Sequence, residues 1–328
     1  MGKIGFTTTI PQEIIWASGN IPVDLNNVFV SSLRRDKFLA HAQKDGYPRT
    51  SCPWISGIYG AVVEEQNIDA LVVVTQGDCS NTHALAETLE DKGLRIIPFA
   101  FPYDGDRKLI RDEMLHLAKE LGADWNMILD FYKRLKKPRE LAFEVDRLTW
   151  QENLIAGKIN HMTLVTSSDF DGNIDEYTEQ VKEIIESSKR RKPFQEKVRL
   201  GYIGVPPIFP DIFDECERIG GRVVFCEIQR QFALPGYRGD FVHAYAKYTY
   251  PLSVFKRIED IKTEISLRGI HGIIHYVQSF CFRGIEDILF RKHLDVPILT
   301  IEGESSFELD ERTKLRIEAF IKMLDKFV

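Results

Sequence analysis

Three cysteines occupy one kind of position in this chain. Cys52, in "TSCPWISGIYGAVVEEQ", stands directly before Pro53, and proline is favoured at the first position of a helix, so the thiol lies at the mouth of the segment that follows. Cys79 follows "LVVVTQGD" and opens "SNTHALAETL", while Cys281 follows "GIIHYVQSF" and opens "FRGIEDILF". All three are expected at helix starts, two of them straight after strands. Unsatisfied N–H groups and the positive end of a helix dipole favour thiolate over thiol there and attract anions. Cys216 shares a helical face with Ile212, Phe213 and Ile219, and Cys226 lies inside "VVFCE"; both read as small buried apolar residues.

Spacing leaves several readings of the trio open. Between Cys52 and Cys79 lie 26 residues, and between Cys79 and Cys281 lie 201, so no compact Cys-x-x-Cys pattern identifies a metal site. The three can be unrelated buried thiols, or Cys79 can be a lone nucleophile with His83 as its partner four residues on. They can also be ligands of one shared centre. For that third reading an all-thiolate trio suits iron and sulfide better than zinc, which normally takes a fourth protein ligand. His271 and His275 of "HGIIH" fall in a strand and read as core or surface histidines. No G-x-x-x-x-G-K-S/T run occurs, and "GIYG" falls short of G-x-G-x-x-G, so the chain is expected neither to hydrolyse ATP nor to bind a dinucleotide in the usual way.

The elements that must position these residues alternate. "DALVVVTQGD" is a β-branched run of the kind buried in parallel sheets, "RIIPFAFP" is another, and "SNTHALAETLEDKG" between them is a helix with Ser80 or Asn81 as cap and Gly93 as stop. From about 106 to 190 the pattern turns helical, with Ile110, Met114, Leu117 and Leu121 on one face. Alternation resumes with strands over 198–205, 221–228 and 270–281 and in "VPILTIEGE", then a terminal helix from "ERTKLRIEAF". The fold class is therefore α/β, two parallel-sheet lobes with a helical middle section. Residues 1–195 form the N-terminal lobe with its helical extension and 196–328 the C-terminal lobe. In such folds ligands bind outside the carboxyl ends of the strands.

Composition excludes other classes. The 328 residues are 44% hydrophobic and 28% charged, with 21 Phe and 11 Tyr, which is a globular rather than a disordered chain. Net charge is −6, and the one dense basic run, "KRRKPFQEKVR", has little aromatic interleaving and reads as a solvated linker, so nucleic acid is not an expected partner. The N-terminus carries no leader pattern and no window approaches 18 apolar residues. A cytoplasmic protein without a membrane segment is the expectation.

"IPQEIIWASGNIPVDL" (10–25), "SCPWISGIYGAVVE", "IDALVVVTQGDCSNTHAL" and "IHGIIHYVQSFCFRGIEDILFRKHLDVPILTIEGE" with "RTKLRIEAFIKML" occur in an order that resembles the 2-hydroxyacyl-CoA dehydratase family. That family includes the 2-hydroxyglutaryl-CoA dehydratase D-component, benzoyl-CoA reductase subunits and double-cubane cluster proteins. The resemblance implies two flavodoxin-like lobes, an oxygen-sensitive 4Fe-4S cluster in the cleft and Cys52, Cys79 and Cys281 as its ligands. It also implies paired subunits, as a homodimer or a heterodimer with a related subunit, an acyl-CoA substrate and an anaerobic setting. An ATP-dependent activator with its own iron-sulfur cluster would supply one strongly reducing electron to the thioester carbonyl, and the ketyl radical would expel a β-related group or accept protons. Three protein thiolates leave one iron open to a substrate oxygen, water or a sulfide bridging to a second cubane.

The same resemblance leaves other outcomes. One is a double-cubane 8Fe-9S reductase of small molecules without CoA; another is a cluster carrier for electron transfer or maturation with no substrate of its own; a third is a metal-free α/β binding protein. Glu13, in "PQEII", is either a helix-start carboxylate or a proton donor. Ser51, Gln76 and Asp78, beside the ligands, either hydrogen-bond cluster sulfur or serve turns, and Trp54 reads as packing.

Overall fold

A computed structural model of the chain describes residues 2–65 and 67–328. Met1, where the leader reading begins, and Gln66, the last residue of the first cysteine segment, lie outside the described residues. Among those described, eight strands form two parallel sheets of four. Strands β1 (Lys3–Phe6), β2 (Ile21–Asp24), β3 (Ala70–Gln76) and β4 (Arg95–Ala100) are ordered β2-β1-β3-β4. Strands β5 (Val198–Gly204), β6 (Gly221–Cys226), β7 (Gly272–Gln278) and β8 (Ile298–Gly303) are ordered β6-β5-β7-β8. Both sheets thus follow the 2-1-3-4 order of flavodoxin-like doubly wound folds. The likeness of the two lobes is one of topology, since the sequence carries no internal repeat.

The chain divides into two compact units, each built from separated segments. Unit one comprises the residues up to Arg139 with Ser168–Ile174 and Leu234–Ser253; unit two comprises Glu140–Ser167, Asp175–Ala233 and Val254–Val328. The helical stretch read as an extension of the first lobe is shared out between them, because the helix Lys136–Trp150 spans the division and the helix Ile174–Ser188 belongs mostly to unit two.

Within unit one, β3 is buried over Ala70–Val74, as a strand flanked on both faces must be. Leu71 and Val73, two apart and so on one face, pack with Ile55, Ile58 and Tyr59 of the helix Pro53–Glu65 and with Leu85 and Leu89 of the helix Asn81–Asp91. The "GIYG" of Pro53–Glu65 has a packing cause. A Cβ on Gly60 would stand 2.1 Å from the Phe38 carbonyl oxygen, and one on Gly57 would stand 2.3 Å from the Phe29 ring. Only glycine lets this helix lie so close to its neighbours.

In unit two the apolar core gathers Ile203 of β5, Val224 and Phe225 of β6, Ile273 of β7, and Ile258 and Ile261 of the helix Val254–Arg268. All seven residues of β7 are buried. Gly204 ends β5 at φ +93°, where a side chain would be strained, and a Cβ there would meet the Tyr276 carbonyl oxygen at 2.0 Å. Among the described residues no helix is long and apolar enough to cross a membrane.

Candidate functional site

Cys52 lies immediately ahead of the helix that Pro53 opens, and it is 7% exposed. Cys79 lies three residues beyond β3, after Gly77 and Asp78, with Ser80 as the N-cap of Asn81–Asp91. Both thiols pack on one apolar cluster of unit one. Cys281 belongs to unit two, three residues beyond β7, and is the N-cap of a short 3-10 turn, Phe282–Glu286. The sequence placed all three at helix starts, and all three are there, although the element after Cys281 is a 3-10 turn leading into the helix Asp287–His293. All five cysteines are thiols. Cys216 and Cys226 are wholly buried, and burial pushes both thiols far up.

The expectation that these positions favour thiolate is overturned at Cys79. Burial, and after it the Asp78 carboxylate, push this thiol up, while contacts from Thr82 pull it back only in part. The carboxylate is there for a local reason: Asp78 Oδ1 accepts the Cys79 backbone N–H at 2.8 Å and helps turn the chain into the helix. Cys79 Sγ lies 3.6 Å from Thr82 Oγ1, and His83 Nε2 meets the Thr75 carbonyl at 3.0 Å, so the ring proposed as partner to a lone nucleophile is engaged elsewhere.

The neighbours resolve similarly. Ser51 Oγ bonds the Pro48 carbonyl at 2.6 Å and Ser56 Oγ at 3.0 Å, which is turn and helix-start duty. Gln76 ends β3 exposed, its carbonyl accepting Phe101 N–H at 2.9 Å. Trp54 packs edge-on against Phe29 with ring centroids 5.6 Å apart, as read from sequence. Its indole Nε1 is buried without a hydrogen-bond partner among the described groups. That orphan donor two residues from Cys52 is what a bound acceptor would satisfy.

Glu13 is fully buried in the helix Gln12–Ala17. Oε1 pairs with Arg139 Nη1 at 2.7 Å and Oε2 accepts the Tyr245 hydroxyl at 2.7 Å. Both oxygens are therefore engaged, and the carboxylate ties three separated parts of unit one together. His275 of β7 is a core histidine, its Nδ1 2.7 Å from Asp287 Oδ1. The basic run near residue 190 connects the helix Ile174–Ser188 to β5, with Arg191 over the Phe194 ring at 4.2 Å.

Sequence reasoning missed an acidic pair in unit one. Asp24, at the end of β2, accepts Ser168 Oγ at 2.6 Å, and Asp169 Oδ2 accepts the Asp24 backbone N–H at 2.7 Å. Burial and then the Asp24 charge push the Asp169 carboxyl up to about 8. The two residues are 145 apart, so no local pattern could pair them.

The family described as 2-hydroxyglutaryl-CoA dehydratase, D-component matches residues 7–324. The chain belongs to this family. The match takes in all three cysteine segments and spans both units of the chain. No curated protein matches the chain. Among the described residues, no group of three or more His, Cys, Asp or Glu is placed to hold a metal ion. Cys52 and Cys79 belong to unit one and Cys281 to unit two, and all three are thiols.

Proposed function

We propose that this D-component works in a low-potential dehydration or reduction of a 2-hydroxyacyl thioester, with Cys52, Cys79 and Cys281 as ligands of a 4Fe-4S cluster. The family match over residues 7–324, with every cysteine segment inside it, carries the reading. When bound, the cluster would supply a single strongly reducing electron to a thioester carbonyl. The electron would come from a separate ATP-dependent activator, in keeping with the lack of a phosphate loop here. Pairing with an identical or related subunit, in the cytoplasm of an anaerobic cell, completes the proposal.

The chain's own residues prepare this chemistry in definable ways. Cys79, whose thiol is held up by burial and Asp78, must release a proton on ligation, so metal uptake should strengthen as pH rises. Trp54 Nε1–H is a buried donor in the first cysteine segment, suited to a sulfur or oxygen acceptor. Cys216 and Cys226, wholly inside the core of unit two, take no part.

The test is iron and sulfide analysis of protein purified without oxygen. One cubane gives about four irons per chain, and a double cubane about eight. Cys79→Ala and Cys281→Ala should lose iron and visible absorption, whereas Cys216→Ala should keep both. Equal iron in all three variants would overturn the assignment.

A further inference from the structure

The loop that carries Cys281 is tied down at both ends by buried polar groups. On the near side, Gln278 Nε2 donates to the carbonyls of Gly303 at 2.6 Å and Glu304 at 2.7 Å, and its Oε1 accepts the Tyr276 hydroxyl at 2.8 Å. The Cys281 N–H in turn reaches the Gln278 carbonyl at 2.9 Å. Between them Phe280 is held at φ +65°, a region that a bulky side chain adopts only when its surroundings force it. On the far side the tie is a chain of ion pairs. Arg257, fully buried, clamps Glu227 with Nε to Oε1 at 2.6 Å and Nη2 to Oε2 at 3.0 Å. Its remaining nitrogen, Nη1, bonds Glu286, the last residue of the 3-10 turn that Cys281 caps. Arg283, two residues after Cys281, reaches Glu286 Oε1 at 3.1 Å. Glu227 also accepts the Gly204 N–H at 3.0 Å, which fastens the whole chain to the carboxyl ends of β5 and β6.

Two cations and two anions cancel here, and buried pairs of this kind give little or no stability over apolar residues of the same volume. Their distinctive property is geometry. A guanidinium directs its donors in one rigid plane, so a single Arg257 placement satisfies Glu227 and Glu286 together. We propose that Arg257 and Glu286 are positioning residues for Cys281, fixing the loop so that its thiol is presented for ligation. This rests on the reading of Cys281 as a ligand and adds what holds it.

The experiment measures alkylation of each cysteine by iodoacetamide in the full-length, metal-free, reduced chain, followed by peptide mass spectrometry. In Arg257→Lys and Glu286→Gln, Cys281 should react roughly tenfold faster through local opening of its loop, while Cys79 keeps its wild-type rate. Reconstituted anaerobically, Arg257→Lys should retain its iron but show an altered paramagnetic resonance spectrum when reduced. Circular dichroism establishes folding; if Arg257→Lys does not fold, Glu286→Gln decides, because Glu286 is 15% exposed and tolerates the change better. A wild-type Cys281 rate in the folded variants overturns the proposal, as does equal acceleration at Cys79. Iron retained by Cys281→Ala would instead defeat the ligand reading, and the alkylation result would still report whether the two residues anchor the loop.

Discussion

At the scale of single residues, Glu13 shows how burial reassigns a candidate. A carboxylate with one oxygen on Arg139 and the other on Tyr245 is committed to holding unit one together. Removing it leaves the Arg139 cation buried without its counter-charge. Glu13→Ala should therefore cost about 3–5 kcal/mol, read from urea unfolding of the metal-free chain. A proton donor would give the opposite result, lost turnover at an unchanged unfolding midpoint. Cys79 makes a related point: the helix start was legible from its neighbours in sequence, but the direction of its acidity was set by burial and Asp78, and these outweigh the weak field of a helix end.

Among the elements, the strongest segments read true. The run at β3, the helix closed by Gly93 at φ +89°, and the apolar face of Arg107–Leu121 all lie where periodicity and stop signals put them. The two strands that went unread, β1 and β2, are four residues each, too short for a period to show. Pro22 within β2 is tolerated because that strand is at the edge of its sheet. β6 ends at Cys226, two residues sooner than its apolar run suggested, since Glu227 begins a helix. For "GIYG" the useful property is an absent Cβ. Gly60→Ala should destabilise the protein by about 1–3 kcal/mol through overpacking against Phe38, visible as a lowered Tm, whereas Gly46→Ala meets no atom within 4 Å and should cost only the strain of its positive φ.

For the whole molecule, the chain leaves unit two at Ser168 and returns to it after Ile174, and this short visit to unit one is fastened by Asp24, Ser168 and Asp169. Burial, and after it the Asp24 charge, push the Asp169 carboxyl up to about 8 from the 3.8 of an ordinary aspartate. A carboxyl whose folded value is raised stabilises the fold fully at low pH, and that contribution is lost as pH climbs from about 4 through about 8. Urea midpoints of the wild type should accordingly fall across this window relative to those of Asp169→Asn. A parallel dependence in both proteins would show that the pair does not govern it.

By itself the sequence determined the parallel α/β class and the helix-start position of three cysteines, because strand runs, proline, glycine and caps act over a few residues, and the order of its motifs carried the resemblance to the family that the match over residues 7–324 shows. Tertiary structure alone decided that Glu13 is an ion-pair anchor, that Asp24 meets Asp169, and that Arg257 reaches across to the turn after Cys281. Those outcomes depend on charges brought together from distant parts of the chain, in surroundings too dry to leave any of them unpaired.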